Sequence, residues 1–208
     1  MFLLYQAWKK SGVMKGMGKY FIGLLPPPAL ETSLHQVKAD LKTHFQVKYA
    51  LQSPSHLTLK LPFRYKEAKE QELVIRFTSL LEEQPSFTLQ LKGIGQFGRR
   101  NIHHQVAPSN PLLELQTKLR GFCKRYLHLV EELSDRNFQP HITLAYKDLK
   151  EVHFEEVLAF AKKNAVQAEF LVDRAYLLKN VEGRWKVVAP LIFGKSAENP
   201  ISNPKDGI

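Results

Sequence analysis

Cysteine is almost missing from this 208-residue chain: Cys123 stands alone, so no disulfide can close within it and a cysteine-rich zinc site is excluded. A reduced, cytoplasmic setting is the simplest expectation. No apolar run approaches the ~20 residues that a bilayer span requires. The N-terminus runs from apolar to charged, the reverse of a secretory signal, so a soluble protein without a membrane role is expected. There is no glycine-rich loop followed by Lys and Ser or Thr, which argues against chemistry driven by nucleoside triphosphates. His35, His44, His128 and His153 lie on or near expected helices without carboxylates or cysteines at ligand spacing, so no metal and no other cofactor is expected.

Acidic residues are also scarce, 20 against 30 Lys and Arg, which leaves a net charge of +10. The excess is uneven. Residues 1–66 carry ten basic side chains against two acidic ones, and residues 92–125 seven against one. Two basic blocks favour a polyanionic partner such as RNA, or a small phosphorylated molecule.

What is present is a core-forming chain, 44% hydrophobic, without an evident linker. Residues 1–18 read as a flexible extension with Met14 and Met17 as alternative starts, 19–193 as a single domain, and 194–208 as a tail. "KYFIGLL" predicts a strand that "PPP" stops, and Leu30, Leu34, Val37, Leu41 and Phe45 recur at helical spacing over 29–44. The pattern then predicts a short strand at 46–51, a strand from His56, a helix at 67–83, strands at 86–94 and 101–106, and a helix from Ser109 to Leu129. A strand at 140–147, a helix near 155–165 and a final hairpin turning at 181–183 complete it. The order is that of an α+β fold: two pseudo-symmetric lobes, each an antiparallel sheet backed by helices, around a central cleft.

One tetrapeptide pattern occurs twice. "HLTL" at 56–59 returns as "HITL" at 141–144, each time on an expected strand. Alternate residues of a strand share a face, so His56 and Thr58 form one polar pair and His141 and Thr143 another, above core-facing Leu or Ile. An imidazole gives or takes a proton near neutral pH, and a threonine hydroxyl donates to an anionic oxygen. Two such pairs across a cleft suit phosphodiester chemistry without a metal: one histidine takes a proton from the attacking group, the other gives one to the leaving oxygen.

With these residues the chain resembles the two-histidine phosphoesterase superfamily, and within it the bacterial 2′,5′-RNA ligase-like proteins, also described as RNA 2′,3′-cyclic phosphodiesterases. "YFIGLLPPPAL", "SHLTLKL", "GIGQFGRRN" and "FQPHITLAY" carry the resemblance, over about residues 19–193. It implies a bilobal fold, His56 and His141 as acid and base, and Thr58 and Thr143 as phosphate ligands. It further implies opening of 2′,3′-cyclic phosphates on RNA ends or small nucleotides to 2′-phosphates, and in some members reversible 2′,5′ joining. A non-catalytic RNA- or nucleotide-binding module is the alternative from another class.

Five further residues are candidates for holding substrate. Strict alternation puts Lys60 in register with His56 and Thr58, near a phosphate or exposed on the strand. Phe97, Arg99 and Arg100 sit in a glycine-rich loop suited to stacking a base and holding a phosphate, or simply solvated. Tyr146 lies where relatives place a basic or aromatic contact, but strict alternation turns it away from His141 unless a bulge or the strand end intervenes. His103 and His104 are adjacent on a strand, so at most one faces the cleft, and a structural role is expected for them.

Overall fold

The computed structural model describes residues 16–194. The first 15 residues of the expected extension and the tail from 195 lie outside that range. Eight strands form one curled antiparallel sheet: β1 (Met17–Leu24), β2 (Leu57–Lys66), β3 (Phe87–Phe97), β4 (Asn101–Val106), β5 (His141–Tyr146), β6 (Glu169–Val172), β7 (Arg174–Val181) and β8 (Arg184–Ile192). Their spatial order is β6-β3-β4-β5-β2-β1-β7-β8. The two expected lobes are therefore four-stranded halves of a single sheet, joined where β2 meets β5. That junction is one pair, Leu57 against Ile142.

Helices α1 (Pro28–Phe45), α2 (Glu70–Leu81), α3 (Asn110–Tyr126), α4 (Leu133–Arg136) and α5 (Phe154–Lys163) cover the sheet. Pro28 opens α1, where a missing N–H costs nothing, and Gln46 closes it in the left-handed conformation, its N–H reaching the carbonyls of Leu41 and Lys42. The core has two parts. One gathers Leu30 and Leu34, the apolar faces of α2 and α3, and strands from both halves; the other packs α1 and α5 over Ile102, Leu144 and Ala145.

The structure departs from the sequence pattern in four places. Strand β1 begins at Met17, where Met17 and Gly18 pair with Lys66 and Tyr65, two residues before the expected domain start. The expected strand at 46–51 is a 3-10 turn at Tyr49–Gln52, because the N–H groups of Lys48 and Tyr49 both donate to Asp148 Oδ2 at 2.8 Å rather than to a neighbouring strand. The long third helix stops at Tyr126, and the separate turn α4 follows. The run 167–180 is two strands: β6 pairs with β3 in one half, and beyond Asp173 the chain crosses to pair β7 with β1 in the other. The β7–β8 hairpin turns at Glu182 and Gly183, both with positive φ, as a tight two-residue hairpin turn requires.

Candidate active site

The two His-x-Thr segments lie side by side and antiparallel. Extending the Leu57–Ile142 pair by one residue each way sets His56 opposite Thr143 and Thr58 opposite His141. All four side chains line one cavity of about 630 Å³, a size ordinary for a small-molecule site. Leu57 and Ile142 turn the other way and are 1% exposed, so the core pins the strands while their polar faces meet.

Each imidazole is held in the same manner. His56 Nδ1 donates to the carbonyl of Pro54 and His141 Nδ1 to that of Gln139, both at 2.7 Å and both two residues upstream. That bond fixes the neutral tautomer and leaves Nε2 on each ring to handle protons. Each ring also leans on a phenylalanine: His56 on Phe21 with centroids 4.6 Å apart, His141 edge-on to Phe97 at 4.9 Å. Burial pushes the His56 imidazolium down to about 4; donation to Pro54 opposes this, and the charges of Lys38 and His141 add to it. His141 is lowered as well, mainly by burial, against the pull of the Gln139 carbonyl. Both rings are therefore neutral near pH 7, and a bound anion would raise both.

The structure divides the candidate substrate contacts. Phe97 and Tyr146 line the cavity; Lys60, Arg99 and Arg100 do not. Lys60 and Tyr146 trade the places that strict alternation gives them, for one reason. On β5, Ala145 pairs with Ile102 and Thr143 with His103, so Leu144 is an extra residue. On β2, Lys60 pairs with Ile22 and Thr58 with Gly23, so Leu59 is an extra residue at the matching position. Each bulge reverses the alternation beyond it. Tyr146 is thereby turned back into the cavity, as its counterpart Leu61 is, while Lys60 is 3% exposed and bonded to Asp135 Oδ2 at 2.6 Å. Arg99 is engaged outside the cavity, with Glu151 in the turn before α5, with Glu155 in the first turn of α5, and over the ring of Phe154. Arg100 is exposed in the turn that joins β3 to β4.

Several cavity residues escaped the sequence reading. Lys38 of α1 is 2% exposed and lines the cavity beside His56. Its signal was in the sequence, since position 38 falls four after Leu34 and three before Leu41, inside the apolar stripe. Lys19 and Trp185 form the rim on one side, with the ammonium 5.7 Å from the indole centroid. On the other side Lys147 donates to the Tyr49 hydroxyl at 2.7 Å and lies over the rings of Tyr49 and Tyr146. His103 faces the site side of β4: its ring is 4.8 Å from that of His141, and its Nδ1 bonds Asn101 Oδ1 at 2.8 Å. His104, on the opposite face, is wholly buried with neither ring nitrogen hydrogen-bonded. Among the described residues no three His, Cys, Asp or Glu side chains gather as a metal site, and no helix is long and apolar enough to cross a membrane.

Comparisons with known proteins find relatives by sequence and by structure. The family model described as the 2′-5′ RNA ligase superfamily matches residues 26–184. A Bacillus pumilus protein named "Putative phosphoesterase" is 28% identical over 180 residues, which span 85% of this chain and 98% of that relative. Among solved structures, apo LigT of E. coli superposes with a TM-score of 0.58 at 19% identity, over 86% of this chain and 99% of its own. TT0787 of Thermus thermophilus gives 0.57 at 17%, over 85% and 99%. E. coli LigT complexed with 3′-AMP gives 0.57 at 19%, over 86% and 99%. At such identities the structural likeness establishes a shared fold.

Proposed function

The chain belongs to the 2′-5′ RNA ligase superfamily, a membership that supports phosphoesterase activity, and from that premise we propose that it opens 2′,3′-cyclic phosphates on RNA ends or small nucleotides, leaving 2′-phosphates. One observation carries the reading: two imidazoles, each locked through Nδ1 to the carbonyl two residues upstream, present two Nε2 atoms to one cavity that also holds two threonine hydroxyls. A single proton carrier can activate water or protonate a leaving group. Two of them do both in one step.

In the proposed reaction one neutral imidazole takes a proton from water as the water oxygen bonds to phosphorus. The P–O3′ bond breaks, and the second imidazole, protonated, delivers its proton to the departing 3′ oxygen. Thr58 and Thr143 donate to the non-bridging oxygens, where negative charge builds. Phe97, Tyr49, Tyr146 and Trp185 offer aromatic surfaces around the cavity to a base, and a mononucleotide substrate is consistent with the structure of LigT complexed with 3′-AMP.

The test is incubation of the purified protein with 2′,3′-cyclic AMP in EDTA, with products resolved as 2′- or 3′-phosphate. The reading predicts 2′-AMP as the product and its loss in His56→Ala and His141→Ala. Undiminished turnover in both variants would end it.

A further inference from the structure

Two lysines are buried among the described residues, and of these one has a counter-charge. Lys60 is neutralised by Asp135 at 2.6 Å. Lys38 is equally buried, at 2% exposure, yet among the described residues no carboxylate lies within ion-pair distance of it and no protein group hydrogen-bonds its Nζ, which is not sealed off as the wholly buried polar atoms are. The carboxylate whose charge reaches it is Glu31, two turns earlier on α1, and both oxygens of Glu31 accept from the Ser55 N–H at 3.0 Å. Lys38 sits among Leu34, Val37 and Leu41, with its ammonium end toward the cavity that His56 lines. Burial without a partner pulls that ammonium down to about 8.

An uncompensated buried ammonium costs folding free energy, and a leucine or methionine at this helix position would pack without that cost. The site nevertheless places the cation beside one of its two proton carriers, inside a cavity with room for an anion. We propose that Lys38 is the phosphate-anchoring cation of the cavity, its Nζ donating to a non-bridging oxygen of the bound phosphate next to His56. The anion supplies in the complex the counter-charge that Asp135 gives Lys60 permanently. That the anion is a phosphate ester rests on the phosphodiesterase reading; that the site takes an oxyanion rests on Lys38 itself. As charge accumulates on the phosphoryl oxygens during reaction, the contact strengthens, so Lys38 serves turnover as well as binding.

The test uses inorganic phosphate as probe, with the full-length protein, its Lys38→Met variant and a Lys66→Met control that removes an exposed lysine. Calorimetric titration at pH 7 should show phosphate binding weakened about ten- to a hundredfold in K38M, the worth of one charge-assisted hydrogen bond, and unchanged in K66M. The ligand-free melting temperature of K38M should stand above the wild type. Phosphate affinity within twofold of wild type in K38M overturns the proposal, whichever way the melting temperature moves. A second measurement needs no substitution. With lysines carrying 13C at Cε, the signal that titrates near pH 8 should shift its midpoint upward when phosphate is added, and a lysine spectrum that phosphate leaves unchanged overturns the proposal equally. Failure of the phosphodiesterase reading would look different: cyclic phosphate stays intact in the wild type while phosphate binding and its dependence on Lys38 persist.

Discussion

At the scale of single residues, the site depends on which ring nitrogen carries a proton, and the Nδ1 bonds to Pro54 and Gln139 decide that before substrate arrives. The buried histidines also set a pH dependence of stability. His56, His103 and His104 are each held near 4 by burial, against an ordinary value of 6.5. Between those values the unfolded chain binds protons that the folded chain does not, so stability falls on acidification from about pH 6.5 to 4 and levels off below. Each such histidine contributes a slope of up to about 1.4 kcal/mol per pH unit. His104 is the cleanest case, being buried without a partner on either nitrogen and outside the cavity that His56 and His141 line. Urea midpoints measured from pH 7.5 to 4.5 should fall steeply in the wild type and more gently in His104→Leu; equal slopes would contradict this account. The four motif residues were legible in sequence because their chemistry repeats as a string. Lys38 was not read, because a lysine on an amphipathic helix is taken for the solvent face unless its angle within the stripe is counted.

At the scale of elements, the paired bulges at Leu59 and Leu144 shape the site as much as the motifs do. They follow each His-x-Thr at the same step and decide that Leu61 and Tyr146 enter the cavity while Lys60 and Ala145 leave it. A period of two carries a prediction along a strand only until the first extra residue, and nothing in "TLKL" or "TLAY" announces one. This is why strict alternation alone points Lys60 toward the phosphate, and why Tyr146 reaches the cavity through the bulge that its place as a substrate contact requires. With Lys60 turned inward, Asp135 becomes the pin between β2 and α4: it accepts from Lys60 Nζ, from the Leu61 N–H and from the Glu132 N–H. Asp135→Ala leaves a buried ammonium without a partner and should cost about 3–5 kcal/mol, whereas the double variant Lys60→Met, Asp135→Leu should recover most of that. Urea denaturation of the two proteins checks the pair, and a double variant as unstable as the single one would refute this assignment.

At the scale of the whole molecule, the strand–helix order and the duplicated motif were enough to foresee two similar halves around a cleft. They could not show that the halves share one sheet, because a junction of a single residue pair, Leu57 with Ile142, leaves no pattern of its own. Nor could they show that the chain returns to the first half at Asp173, since β6 and β7 read as one apolar run. The net charge of +10 acts at this scale too. If the exposed Lys and Arg guide RNA toward the cleft, kcat/KM for an oligonucleotide ending in a 2′,3′-cyclic phosphate should fall several-fold between 50 and 200 mM NaCl, and that for 2′,3′-cyclic AMP much less. Parallel salt dependence for the two substrates would confine recognition to the cavity.

The central claim is that two imidazoles on adjoining strands divide the proton transfers of one phosphodiester opening. The pH profile of kcat/KM for 2′,3′-cyclic AMP, measured in EDTA for the wild type, His56→Ala and His141→Ala, tests it most directly. The account predicts a bell for the wild type. Each variant should be about 10²–10⁴-fold slower, with the acidic limb missing from one and the alkaline limb from the other. Variants that keep both limbs at wild-type rates would contradict it.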